Sequence, residues 1–360
     1  MNKEELQARR ETIEGEQLKF AAEFSLHSLS RYQFGNRLLE LAQGGERIED
    51  PRLRTEVGGL ELENPLLVGA GWDKKGWAVD GLYALGFAGT EVGSVLVHPQ
   101  SGNPRPRLWY KHGAGLNRLG FNSSGMEAVA GYLDTQNRPG IVGISIGKNK
   151  LTPDSQAPWA HAAVAERLYD YADYFVINVA SPNTPGLRNL LNPKPLTDIV
   201  MAVNEVLENK GKKPLFIKTT VDLALEDLDS VIGVCLDNAV TGIIDSNTTI
   251  DEELKRLYGW QGQAGGVSGN VSEFRRRAND RMKHITRATR GTSLQRIGVG
   301  AINDSESAIE RLQSGAQALQ IVTGIRQRKG KIAHDINRGI LDHMYQNHLS
   351  SIEELVGQAA

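Results

Sequence analysis

Eight short apolar segments recur along the chain, at 65–70, 89–96, 141–146, 174–179, 214–219, 242–245, 296–302 and 318–323. Between most of them lie stretches with helical character, among them 76–85, 158–168, 195–209, 225–238 and 305–314. Unbroken apolar runs of this length read as strands buried on both faces, the mark of a parallel sheet covered by helices. Eight such strands alternating with helices over about 270 residues is what a (β/α)8 barrel requires. A doubly wound open sheet is the competing arrangement, but no Gly-x-Gly-x-x-Gly follows the first strand. The pattern therefore predicts an α/β protein, a (β/α)8 TIM barrel over 51–360, with a separate helical extension at 1–50.

The extension differs in character from the rest. Residues 4–16 are rich in glutamate and predict a frayed helix. Residues 18–42 place Phe20, Phe24, Leu26, Leu29, Phe34, Leu38 and Leu41 at roughly helical spacing, interrupted by Gly35, and predict two short amphipathic helices. Packing on the barrel and contact with a membrane surface are both open for that pair. No run reaches the roughly 18 apolar residues of a spanning helix. Acid residues near the N-terminus argue against a secretory or transit signal, so a bacterial cytoplasmic location is expected. A net charge of −2 gives no electrostatic case for nucleic acid. The single cysteine, Cys235, excludes an internal disulfide and sits in an apolar helical run.

In α/β barrels the chemistry gathers at the carboxyl ends of the strands. There this chain carries a consistent polar set. The first strand runs into Ala70-Gly71-Trp72-Asp73-Lys74, the second into Gly93-Ser94, and the third into Ser145. The fourth supplies Asn178, Ser181 and Asn183, the fifth Lys218, and the sixth Ser246-Asn247-Thr248-Thr249. A strand closed by an Asn/Pro turn would account for 176–190 taken alone. Two lysines and several asparagines on one face are harder to reduce to turns and rim packing. Carboxamides both donate and accept, which suits a planar, amide-rich ligand.

Two connections, 98–139 and 248–292, are too long for bare turns and are expected to carry function. Three glycine-containing stretches, Gly265 to Gly269, Gly298 to Ala301 and Val322 to Gly324, can turn backbone N–H groups toward an anion. Phosphate sites in such barrels lie after the seventh and eighth strands. The eight histidines are scattered, with no His-x-x-x-His pair and no cysteine partner, so no metal site is predicted. No histidine accompanies Ser181 and no Gly-x-Ser-x-Gly is present, so a serine nucleophile is not indicated.

The motifs, taken in order, resemble the dihydroorotate dehydrogenases of class 2, the quinone-linked branch. The resemblance rests on Gly71-Trp72-Asp73-Lys74, Glu91-Val92-Gly93-Ser94, Gly102-Asn103-Pro104-Arg105-Pro106-Arg107 and Asn117-Arg118-Leu119-Gly120-Phe121-Asn122. It continues through Gly147-Lys148-Asn149-Lys150, Ser181-Pro182-Asn183-Thr184, Ser246-Asn247-Thr248-Thr249 and Gly265-Gly266-Val267-Ser268-Gly269. It implies a barrel that binds FMN and dihydroorotate and passes electrons to a quinone, with peripheral membrane contact. Cofactor contacts would come from Ala70, Gly71, Lys74, Ser94, Ser145, Asn178, Lys218, Ser246, Gly269, Ala301, Val322 and Thr323. Lys74, Asn117, Phe121, Asn178, Asn183, Asn247 and Thr248 would hold the pyrimidine. Ser181 would take a proton from C5 while C6 gives hydride to N5 of FMN, yielding orotate. The resemblance makes Thr184 its relay partner, places Phe121 in the catalytic set and Lys218 beside the flavin N1–C2 region, and turns 182–192 into a lid.

Several positions depart from the family pattern. Ser145 replaces an asparagine, Ala180 a serine, Ala301 a glycine, and Thr219-Thr220-Val221-Asp222 an Ile/Leu-Ala-Pro-Asp run. Ala301 is tolerable there if only its N–H matters and φ stays negative. Tyr110 and Val322 stand where the quinone pocket of the family has arginine and tyrosine. Dihydroorotate oxidation is thus better supported than quinone reduction. A family member with another acceptor or substrate, a non-catalytic flavin-binding paralogue and a soluble location are the alternatives, and oligomeric state stays open.

Overall fold

The computed structural model describes residues 47–360. The helices expected at 4–16 and 18–42 lie outside the described residues. The chain enters through a two-stranded hairpin, β1 (Thr55–Val57) and β2 (Leu60–Leu62), that sequence periodicity did not reveal. Its Val57 and Leu62 pack with Val176, Phe216, Ile244 and Ile297. Thr55 adds a hydroxyl bond to the Gln317 carbonyl at 3.0 Å. The hairpin thus lies against the residues that lead into the last strand.

Eight parallel strands then close into a barrel. In chain order they are β3 (Leu66–Val68), β4 (Gly89–Val95), β7 (Ile141–Ile146), β8 (Tyr174–Ile177), β9 (Leu215–Lys218), β10 (Gly242–Ile244), β12 (Gln295–Val299) and β13 (Ala318–Ile321). Each overlaps one of the eight apolar segments, β12 starting one residue earlier, and β13 pairs with β3 to complete the circle, Leu319 opposite Leu66. Buried apolar side chains on the outer face of the strands meet the helices in two large clusters, one around β7 to β9 and one around β3 and β13. The helix Pro193–Lys210 begins with proline in its first turn and buries Leu196, Ile199, Val200, Val203 and Leu207, positions three and four apart that form one stripe. The helix Ser305–Gln313 is started by a capping box in which Asp304 accepts the Ser307 N–H at 2.9 Å. Cys235 is buried in the helix Leu225–Asp237, and burial raises its thiol.

The two long excursions meet each other. The first forms the hairpin β5 (Leu108–Lys111) and β6 (Ala114–Asn117), and the second contributes β11 (Gly266–Gly269) antiparallel to β6. This three-stranded sheet holds the two excursions together over the carboxyl ends of the barrel strands, because its residues line the same cavity as theirs. Among the described residues no helix is long and apolar enough to cross a membrane.

Candidate active site

At the carboxyl end of the barrel lies a cavity of about 850 Å³. The turn after β3 places Ala70, Gly71 and Lys74 on its wall. Asp73 builds that turn, its carboxylate accepting the N–H groups of Lys75 (3.2 Å), Gly76 (2.8 Å) and Ala78 (2.9 Å). Two backbone bonds tie it to β4, Gly71 N–H to the Gly93 carbonyl at 2.8 Å and Gly93 N–H to the Asp73 carbonyl at 3.0 Å. A fully buried carboxylate therefore fixes the backbone after Lys74, and the two bonds to Gly93 fix it before.

From there a chain of short polar contacts crosses four strand ends. Ser145 and Ser94 share a hydrogen bond of 2.8 Å between hydroxyls, and Asn178 Nδ2 donates to Ser94 Oγ at 2.8 Å. Asn247 Nδ2 reaches Asn178 Oδ1 at 3.4 Å. Ser94, Asn178, Ser246 and Asn247 line the cavity, whereas Ser145 sits behind Ser94 and does not. In this structure Ser145 meets the site through Ser94. Ser246 is itself held by a bond to the Val299 carbonyl at 2.6 Å.

The opposite wall joins the loop after β8 to the first excursion. Asn183 Nδ2 donates to Asn117 Oδ1 at 3.0 Å, and Asn103 Nδ2 donates to the carbonyls of Asn183 (3.1 Å) and Arg118 (3.0 Å). Gln100 Nε2 holds the carbonyls of Gly120 and Phe121 at 3.2 and 3.0 Å, and Phe121 takes a left-handed φ of 50° on the cavity wall. Ser181 Oγ lies on the same wall and accepts the Asn183 N–H at 3.3 Å. Thr184 is buried off the wall, and its carbonyl takes the Leu187 N–H at 3.3 Å. The described hydrogen bonds of Ser181 and Thr184 do not join the two. Asn122 Oδ1, Asn183 Oδ1 and Thr248 Oγ1 are buried with no hydrogen-bond partner among the described residues. A buried polar atom in that condition is costly, and a polar ligand would satisfy it.

The expected anion cradle is partly redrawn. Gly265 and Gly266 are off the cavity wall, because β11 turns this segment into a strand of the covering sheet and only Ser268 and Gly269 reach the cavity. Gly300, Ala301, Val322, Thr323 and Gly324 complete the wall, and Ser268 Oγ lies 3.0 Å from Thr323 Oγ1. Ala301 does not keep a negative φ. Its value is 57°, next to Gly300 at 90°, so a non-glycine residue is held left-handed where the backbone N–H groups turn. Six lysine and arginine residues line the cavity and no carboxylate does, among the described residues. The cavity therefore favours anions.

Some of the site was not visible to sequence reasoning. Arg188, from the stretch after Asn183, donates to the carbonyls of Ala180 (3.0 Å) and Thr248 (3.3 Å), to Thr220 Oγ1 (3.1 Å) and to Asp222 Oδ2 (3.0 Å). It clamps the Ser181 loop to the ends of β9 and β10, and Thr220 supplies a hydroxyl acceptor where the family pattern has alanine. Arg326 stacks its guanidinium 4.0 Å from the Tyr110 ring centroid, and both line the cavity with Val322. Glu91 and Gln320, inside the barrel, contact Lys218 from below. A glutamate inside an otherwise apolar strand was the signal available for the first of these.

The family model for dihydroorotate dehydrogenase matches residues 52–344. The dihydroorotate dehydrogenase (quinone) of Natronomonas pharaonis is 37% identical over 352 residues, covering 95% of this chain and 98% of that protein. The protein of the same name from Acaryochloris marina is 39% identical over 337 residues, covering 88% and 89%. Among solved structures, the ligand-free DHODH of Eimeria tenella superposes with a TM-score of 0.82 at 28% identity, covering 92% of this chain and 98% of that one. A barrel whose active cavity is lined from seven of the eight strand ends, matched along almost its whole length, defines an α/β-barrel oxidoreductase scaffold. The chain belongs to the dihydroorotate dehydrogenase family.

Proposed function

We propose that this chain oxidises dihydroorotate to orotate with FMN as its prosthetic group and a quinone as the electron acceptor. One observation carries the reading. Ser181, Asn117, Asn178, Asn183, Asn247, Thr248 and Lys74 line a single cavity in which no described carboxylate competes with an anionic substrate. The residues also fit the cofactor. Gly269, Gly300, Ala301 and Thr323 offer turned backbone for a phosphate, and the Ser94–Asn178 pair offers amide and hydroxyl groups to a planar ring. When bound, FMN supplies a two-electron acceptor for the hydride that leaves the substrate.

The chain's own residues supply the rest. Lys74 pairs with the substrate carboxylate, and the carboxamides of Asn117, Asn183 and Asn247 bind the cyclic ureide and amide edges. Ser181 Oγ removes the C5 proton as the C6 hydride departs, which leaves the C5–C6 double bond of orotate. Serine is a weak base, so it depends on exclusion of water and on a proton relay, for which Thr184 is retained as the candidate. Phe121 closes the apolar side of the ring, and Lys218 stabilises negative charge on the reduced cofactor. Residues 182–192 act as the lid, held shut by Arg188. Residues 51–360 form the catalytic unit, and peripheral contact with a quinone-bearing membrane belongs to the same proposal. The test is orotate formation by FMN-loaded protein with a short-chain ubiquinone, fumarate or NAD as acceptor. Turnover with the quinone alone supports the reading; turnover with fumarate or NAD in its place contradicts the acceptor.

A further inference from the structure

Below the substrate walls the barrel interior carries four polar side chains from four strands, Glu91 of β4, Tyr174 of β8, Lys218 of β9 and Gln320 of β13. All are nearly or wholly buried, with 0%, 2%, 4% and 0% of their surface exposed. Three donors converge on the Glu91 carboxylate. Lys218 Nζ lies 3.5 Å from Oε1, Tyr174 OH lies 3.5 Å from Oε2, and Gln320 Nε2 donates to Oε2 in a short contact. Gln320 Oε1 accepts from Lys218 Nζ at 3.3 Å. Burial and the adjacent Glu91 charge hold the Tyr174 phenol well above its ordinary range, so it stays a donor. Space for that ring comes from Gly143 of β7, where any side chain would collide with it.

An amide has one accepting end and one donating end. With a carboxylate on one side and an ammonium on the other, Gln320 has a single orientation that satisfies both. An ammonium has three N–H groups on a flexible stem. Glu91 and Gln320 take two of them, and of the four residues only Lys218 and Gln320 line the cavity.

We propose that Glu91 and Gln320 are positioning residues that convert the freely turning Lys218 ammonium into one N–H aimed into the cavity at the ring of the bound cofactor. The proposal rests on the FMN reading above. A fixed donor stabilises negative charge on a reduced flavin more than a wandering one, because no reorganisation is needed when the charge forms. Gln320→Met removes the bridge while leaving every formal charge in place. Gln320→Asn keeps the amide but is a methylene too short to bridge, and serves if the methionine variant does not fold.

The experiment measures the midpoint potential of bound FMN and the FMN dissociation constant for wild type, Gln320→Met, Gln320→Asn and Lys218→Met. Both Gln320 variants are expected to shift the potential in the negative direction, as Lys218→Met does but by less. In a Lys218→Met background the shift caused by Gln320→Met should fall below half its original size. FMN affinity is expected to weaken severalfold in the same order. An unmoved potential with only a lower melting temperature would mean the network is structural, and a shift undiminished without Lys218 would mean that Gln320 acts by itself. A wild-type chain that takes up no FMN overturns both this inference and the proposed function, whereas normal FMN uptake with unmoved variant potentials overturns the inference alone.

Discussion

Asn183 and Asn117 meet through a 3.0 Å bond from Nδ2 to Oδ1 although 66 residues separate them in sequence. One belongs to the loop after β8 and the other to the end of β6. Their contact leaves Asn183 Oδ1 buried and without a partner among the described residues. Asn183→Ala is predicted to weaken orotate binding by roughly ten- to a hundredfold, the equivalent of about 1–3 kcal/mol for a buried polar contact. FMN content should not change. Titration of the flavin spectrum with orotate reads this directly, and an unaltered affinity would remove Asn183 from the substrate wall.

Ser181 lies on the same wall, its Oγ accepting the Asn183 N–H at 3.3 Å. Ser181→Ala should lower the rate of flavin reduction by dihydroorotate by about 10²–10⁴, the usual contribution of a positioned base. FMN affinity and orotate affinity should stay within about twofold of wild type, since alanine removes only a hydroxyl. Stopped-flow reduction separates the two quantities. A reduction rate close to wild type would assign the base elsewhere.

Arg188 predicts a different signature, because it touches the loop and not the cavity. Four contacts tie it to Ala180, Thr220, Asp222 and Thr248. Arg188→Met should speed amide hydrogen exchange across 181–191 and raise KM more than it lowers kcat. Thr220→Ala should give the same pattern in miniature, from the loss of one hydrogen bond worth about 1 kcal/mol. Exchange protection unchanged in both variants would show that the loop is held by something other than the clamp.

His161 makes a pH prediction unrelated to catalysis. Burial in the helix Ala157–Leu168 pushes its imidazole down to about 4; its Nδ1 lies 2.7 Å from the Ala157 carbonyl, which opposes the shift, and the nearby Lys148 charge adds to it. The folded value lies below the ordinary 6.5, so between the two the unfolded chain takes up a proton that the native state refuses. The contribution to stability is therefore complete above about pH 6.5, falls as pH drops toward 4, and levels off below that. Its full size is about 3 kcal/mol. Urea midpoints at pH 7 and pH 4.5 should differ less in His161→Gln than in wild type. An equal difference would place the acid sensitivity in other groups.

The barrel was legible because its strands are buried on both faces, so each stands out as an apolar run at 65–70, 89–96 and onward even without a repeat in sequence. Strand ends were legible for the same reason, since Lys74, Asn178, Lys218 and Asn247 break those runs abruptly. What escaped notice has a common cause. β1, β2, β5, β6 and β11 are strands of three or four residues, too short for alternation to rise above chance, and β11 pairs with β6 from a segment far away in the chain. Ala301 shows the limit for backbone conformation, because its φ is 57° where residue type favours the opposite sign. Thr184, paired with Ser181 by the family resemblance, lies off the cavity wall, since adjacency in sequence after a strand does not fix which side chains face inward. Glu91 and Gln320 were passed over because a polar residue inside a strand gains meaning only once its cross-barrel partner is known.

The most direct test of the account is an anaerobic titration of the FMN-loaded protein with dihydroorotate, following flavin absorbance. Bleaching complete near one equivalent of substrate, with orotate appearing in equal amount, is the predicted result. A flavin that binds and stays oxidised in the presence of excess dihydroorotate would contradict it, and would leave this cavity as that of a flavin-binding relative acting on another substrate or on none.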